Sequence, residues 1–145
     1  MSVDPVIELR ELNDAEYALV PALFELLEPG LSSVLIVERV LLMRAQGWRC
    51  LGAFCNQEMI AMAGYSTRIH LFSGPVMYVE NLIVLPSWRA HQLGKRLMHW
   101  IEQYARESGC QKVTLDAYLS NPAARAFYER LGYDPRGVHF VLEIA

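Results

Sequence analysis

Val84-Leu85-Pro86-Ser87-Trp88-Arg89-Ala90-His91-Gln92-Leu93-Gly94-Lys95-Arg96-Leu97 is the stretch on which the fold turns. An apolar run ends at Leu85, Pro86 forces a turn, and from Leu93 the residues Leu97, Ile101 and Tyr104/Ala105 recur at helical spacing until Gly109. A strand that passes through a short loop straight into an amphipathic helix aims free backbone N–H groups and the positive end of the helix dipole at one spot. That arrangement suits a pyrophosphate. Gly94 allows close backbone approach, and Arg89, Lys95 and Arg96 add charge. Strand-to-helix turns also carry a glycine and a basic residue for structural reasons, so this stretch by itself leaves both readings open.

Upstream of the junction, residues 48–55, 58–71 and 76–84 read as three strands rich in aromatic and β-branched residues. They are separated by Asn56-Gln57 and by Ser73-Gly74-Pro75, connections short enough for antiparallel hairpins. Before them come a strand at 6–9 and a helix capped by Asn13 or Asp14 and running toward Leu27. Pro21 predicts a kink or a late start in it. A second helix is capped by Ser32 or Ser33, takes apolar surface from Leu35, Val40, Leu41 and Leu42, and stops at Gly47. Downstream, Val113, Leu115 and Ala117 alternate as a strand, and Asn121-Pro122 starts a helix that Gly132 ends. Phe140, Leu142 and Ile144 predict a final strand. The order is strand, two helices, three strands, helix, strand, helix, strand, an α/β chain with a mixed sheet and helices on both faces. No linker or repeat divides residues 1–145, so one domain is expected.

Composition limits the function classes. Hydrophobic residues at 53% and charged residues at 20% describe a globular chain rather than a disordered one. Apolar runs such as those at 34–37 and 82–85 fall far short of the roughly 20 residues that span a bilayer. No basic segment followed by an apolar stretch opens the chain, so neither a signal peptide nor a membrane partner is expected. Cys50, Cys55 and Cys110 are odd in number and lack a CxxC spacing, which fits reduced cytoplasmic thiols and no metal. His70, His99 and His139 form no ligand spacing either. A net charge of −3 without a basic stripe argues against a nucleic-acid partner.

A second stretch carries polar chemistry: Leu119-Ser120-Asn121-Pro122-Ala123-Ala124-Arg125-Ala126-Phe127-Tyr128-Glu129-Arg130-Leu131-Gly132-Tyr133. Counted from the cap, Ala124/Arg125 and Tyr128 recur on one helical face, so the amide at the start and the phenol farther along share that face. The plainer reading is a capped helix with Phe127, Tyr128 and Leu131 in the core.

Together these segments resemble the GCN5-related N-acetyltransferase (GNAT) superfamily, from about Tyr78 to Tyr133. Arg89-x-x-Gln92-x-Gly94 stands in the frame of the family's phosphate signature, Arg/Gln-x-x-Gly-x-Gly/Ala. Asn121…Ala124…Phe127-Tyr128…Gly132-Tyr133 is similar to its Asn-x-x-Ala-x-x-Phe-Tyr-x-x-x-Gly-Phe/Tyr run. Tyr78-Val79-Glu80-Asn81-Leu82-Ile83-Val84 resembles the strand that precedes the signature. The chain departs from the pattern at Gln92, where the signature usually has glycine, and at Ala90, where many members have another. A side chain at residue 92 either crowds the diphosphate or hydrogen-bonds to it.

The resemblance implies a GNAT-type acyl-CoA N-acyltransferase fold and direct acetyl transfer from acetyl-CoA, a cosubstrate, to an amine held in the same site. It implies that the backbone at Leu82, Ile83 and Val84 pairs with the pantetheine arm, and that Arg89, Ala90, His91, Gln92, Leu93, Gly94, Lys95 and Arg96 hold the diphosphate. Asn121 and Ala124 stand where the family contacts the coenzyme, with a pure helix cap as the other reading of Asn121. Tyr128 matches the tyrosine assigned as general acid to the coenzyme A thiolate. Glu80 matches a glutamate that some relatives, diamine acetyltransferases among them, use to bind or deprotonate the amine. Asn81 stands where those relatives have aspartate, so polyamine specificity does not carry over. A small-molecule amine is the expected acceptor and a homodimer the expected assembly. A coenzyme-binding sensor or interaction module without turnover is the alternative.

Overall fold

In the computed structural model, which describes residues 4–145, the local signals around the first helix resolve as a late start. Asn13 caps a 3-10 turn, Asp14–Leu19, in a full capping box: its side chain accepts the Glu16 N–H, and Glu16 reaches back to the Asn13 N–H. The α-helix proper, α1, runs Val20–Leu27 with Pro21 in its first turn, where a missing N–H costs nothing. Helix α2, Ser33–Ala45, is capped by Ser32. Its buried stripe is Ile36 and Val40, whereas Leu41 and Leu42 are exposed. Residues 36 and 40 share a helical face, and 41 and 42 turn about 100° and 200° away from it.

The strands are β1 (Glu8–Glu11), β2 (Arg49–Cys55), β3 (Glu58–His70), β4 (Gly74–Val84) and β5 (Lys112–Leu115). They lie side by side in that order, and the first four are mutually antiparallel. Between β4 and β5 the chain passes through a 3-10 turn, Pro86–His91, and α3, Leu93–Glu107. β5 completes a mixed five-stranded sheet. Asn56 and Gln57 turn the β2–β3 hairpin with φ of 50° and 67°, the left-handed pair that matches strand twist.

The chain divides into two compact units, Met1–Thr114 and Leu115–Ala145. In the first, one sheet face carries Trp48, Cys50, Phe54, Met62 and Ile83 against Val20, Leu23, Phe24, Ile36 and Val40 of α1 and α2. Tyr65 points to the other face, where its ring lies 6.0 Å from Trp100 and 5.5 Å from Tyr104 of α3. In the second unit α4, Pro122–Arg130, has Asn121 as its cap. The final strand expected at Phe140, Leu142 and Ile144 is not formed: residues 133–145 carry no strand, and all three side chains are exposed. Alternation prepares two faces, but a strand exists only where a neighbouring backbone supplies its ladder.

Candidate active site

β4 is the element that sets the site out. Met62 opposes Ile83 and Gly64 opposes Glu80, so the two β4 residues Asn81 and Leu82 stand against Ala63 alone. This is a β-bulge, and Asn81 supplies its left-handed residue with φ of 62°. Asparagine is among the few non-glycine residues that take this conformation at modest cost. The extra residue puts Glu80 and Ile83, three apart, on the same face of the sheet. Leu82 lies in the bulge, and Ile83 and Val84 resume regular pairing with Met62 and Ala61; Leu82, Val84 and Glu80 are half-buried and Ile83 is buried. The Asn81 side-chain oxygen is buried without a hydrogen bond among the described residues.

The junction that follows is built as its sequence predicts, with one device not legible in the composition of the loop. Gln92 ends the 3-10 turn and opens α3 in a left-handed conformation, φ 55° and ψ 31°. A family glycine at this place is therefore explained by backbone geometry, and Gln92 holds the same geometry with a side chain. No side chain caps α3. The first-turn N–H groups of Leu93, Gly94 and Lys95 are therefore left for another acceptor, which is what a diphosphate requires of its site. Arg89, Ala90, His91, Gln92, Lys95 and Arg96 are exposed around this turn, and Gly94 is half-buried. The Leu93 side chain is buried. Arg96 leans toward β1 and donates to the Ile7 carbonyl at 3.4 Å. The His91 ring packs on Trp88 at 4.9 Å.

In the second unit Asn121 and Tyr128 are fixed by the two ends of α4. The Asn121 oxygen accepts the Ala124 N–H at 3.1 Å, so the cap reading holds for that oxygen and leaves the amide NH2 for any other partner. At the far end Gly132, with φ of 95°, makes a Schellman closure: its N–H donates to the Glu129 carbonyl and the Tyr133 N–H to the Tyr128 carbonyl, both at 3.0 Å. The Tyr133 ring then stands edge-on to Tyr128 at 6.0 Å, and Phe127 does so at 5.1 Å. Burial pushes the Tyr128 phenol above its ordinary range. Glu80, Leu82, Ile83, Val84 and residues 89–96 thus gather in the first unit, and Asn121, Ala124 and Tyr128 on one helix of the second.

Two features escaped the sequence reading. The bulge is signalled only by an asparagine inside a strand. Trp48, which reads as an ordinary core residue, keeps its indole N–H buried without an acceptor among the described residues.

The profile of the acetyltransferase (GNAT) family matches residues 10–133, across both units. The chain is 29% identical over 142 residues to an aminoalkylphosphonate N-acetyltransferase of Salmonella typhimurium, covering 90% of this chain and 87% of that one. It is 31% identical over 97 residues to an aminoglycoside N(6')-acetyltransferase of Acinetobacter genomosp. 13, covering 64% of this chain and 66% of the relative. Among solved structures, an acetyltransferase of Trypanosoma brucei superposes with a TM-score of 0.77 at 27% identity, over 96% of this chain and 100% of that one. An aminoglycoside N-acetyltransferase solved with CoA superposes with a TM-score of 0.84 at 20% identity, over 100% and 99% of the two chains, a likeness of fold.

Proposed function

The chain belongs to the acetyltransferase (GNAT) family, and from that premise we propose that it acetylates a primary amine of a small molecule, with Glu80 as base and Tyr128 as acid. Acetyl-CoA-dependent N-acetyltransfer is the family's activity, and the coenzyme brings the acetyl group as a thioester. The observation that carries the reading is the run from the bulge at Asn81 to the uncapped start of α3. One continuous segment carries the Glu80 carboxylate, the bulged strand backbone and the uncapped first-turn N–H groups of α3, which suit a diphosphate.

The residues divide the work as follows. An alkylammonium, with a reference pKa near about 10.4, must lose a proton before it attacks, and Glu80 takes that proton directly or through water. The amine nitrogen bonds to the acetyl carbon while the carbon–sulfur bond breaks. N–H groups around the bulge stabilise the charge that develops on the carbonyl oxygen. Tyr128 gives its phenolic proton to the departing sulfur and is reprotonated by the proton that the nitrogen sheds on becoming an amide. Its raised pKa keeps it protonated near neutrality, the form an acid needs. The α3 N-terminus with Arg89 and Lys95 holds the diphosphate.

The acceptor class is supported by the two relatives named above, whose names specify an aminoalkylphosphonate and an aminoglycoside. A panel of aminoalkylphosphonates, aminoglycosides, amino sugars, polyamines and peptides, read by thiol release from acetyl-CoA, tests it. Turnover of one of the small amines, with peptides inert, is expected. Turnover of peptides alone overturns the small-molecule reading, and tight acetyl-CoA binding without turnover of any amine makes the chain a sensor.

A further inference from the structure

Trp48 is placed from two sides. Its N–H donates to the Met43 carbonyl at 3.0 Å in the closure that ends α2 at Gly47, whose φ is 98°. The Tyr17 ring stands edge-on to the indole at 6.1 Å. The residue is only 2% exposed, yet Nε1 donates to no acceptor among the described residues. A buried donor left so costs on the order of 1–3 kcal/mol and calls for an explanation.

The glycine beside the indole shows where that donor lies. A Cβ built on Gly64 would meet Nε1 at 2.2 Å, so the indole nitrogen fills the place of a side chain at residue 64. Gly64 pairs directly with Glu80. Directly opposed residues in antiparallel strands share a face, with their Cβ positions about 5 Å apart. The indole N–H therefore stands beside the root of the Glu80 side chain, with no direct hydrogen bond to its carboxylate, so that a link between the two runs through a bridging water. The bulge at Asn81 keeps this pairing while the rest of β4 shifts by one residue.

We propose that Trp48 Nε1–H is a positioning donor for Glu80, holding the carboxylate oriented and charged through a hydrogen bond bridged by one water. Trp48 touches no reacting atom in this role, and the proposal rests on the reading of Glu80 as the base. Glycine at residue 64 is then required because any side chain there would displace the indole. The other ionisable groups around the indole are Tyr17, whose phenol burial pushes up, Cys50, pushed up to about 12 by burial, Arg44 stacked on Tyr17 at 3.8 Å, and Glu11 of β1, whose charge reaches Tyr17. Among these, Glu11 is the carboxyl that competes with Glu80 as the source of a titration.

The test follows the indole N–H of the full chain by NMR between about pH 4 and 8. Three tryptophans give three indole signals, and Trp88→Phe and Trp100→Phe assign the Trp48 signal by elimination. The Trp48 signal is expected to titrate in the carboxylate range, and Glu80→Gln should abolish that titration. A flat signal, or a titration that persists in Glu80→Gln and so reports Glu11, overturns the proposal. A kinetic arm uses the most active amine of the panel. Removing a donor to a carboxylate raises its pKa, so Trp48→Phe should move the acidic limb of the kcat/KM profile up by about one pH unit, with KM for acetyl-CoA within about twofold. An unmoved limb overturns the proposal. If Glu80→Gln keeps the wild-type profile, the base reading fails on its own, whatever the indole reports.

Discussion

Tyr128 shows how much a single residue owes to its setting. Its identity in the Phe127-Tyr128 pair was legible because the helix around it announces itself by Asn121, Pro122 and Gly132. Its protonation was not legible, because the upward push on the phenol comes from burial. If the hydroxyl donates to the departing sulfur, Tyr128→Phe keeps the ring contacts with Phe127 and Tyr133 and removes only the proton. Turnover measured by thiol release should fall by about 10²-fold, the lower range for a general acid, while acetyl-CoA affinity by calorimetry stays within a few-fold. Normal turnover would assign the proton to another donor. Trp48 is the opposite case, since nothing in a tryptophan after a glycine says that its N–H is unpaired.

At the scale of elements, helix ends were legible and the strand irregularity was not. Asn13, Ser32 and Asn121 cap helices by contacts three residues ahead, and Gly47 and Gly132 close them by contacts up to five residues behind. Such interactions are local, so spacing reveals them. The bulge at Asn81 arises from the register of β4 against β3, which no window of β4 contains. The junction at Gln92 lies between these cases. Its strand-to-helix turn is local, but only the geometry shows that the residue is left-handed. That conformation costs a non-glycine residue roughly 1–2 kcal/mol, and glycine's freedom in the unfolded chain offsets part of the relief. Gln92→Gly should therefore leave the melting temperature unchanged or raise it by a few degrees, and hold or tighten acetyl-CoA binding. A tenfold loss of affinity would show that the Gln92 amide itself contacts the diphosphate.

For the molecule as a whole, the anion site proposed at the start of α3 predicts that stability depends on ligand. At about 100 times its Kd a ligand that binds only the native state adds roughly 2.7 kcal/mol, which for a chain of this size raises Tm by on the order of 5–10 °C. Acetyl-CoA should give such a shift in a thermal scan, and Gly94→Glu should abolish it by placing bulk and negative charge at the first turn of α3. No shift at millimolar acetyl-CoA would refute the site. The order of elements up to α4, the caps, the hairpin at Asn56-Gln57 and the strand-to-helix junction before α3 were determined by sequence alone, because each depends on residues a few positions apart. The alternation at Phe140, Leu142 and Ile144 misled for the complementary reason, since a strand needs a partner that its own residues do not specify. Only the tertiary structure decided that Glu80 faces Gly64, that Asn81 bends the strand and that the Trp48 indole fills the space glycine leaves. Those outcomes are set by strand register and packing between residues far apart in the chain.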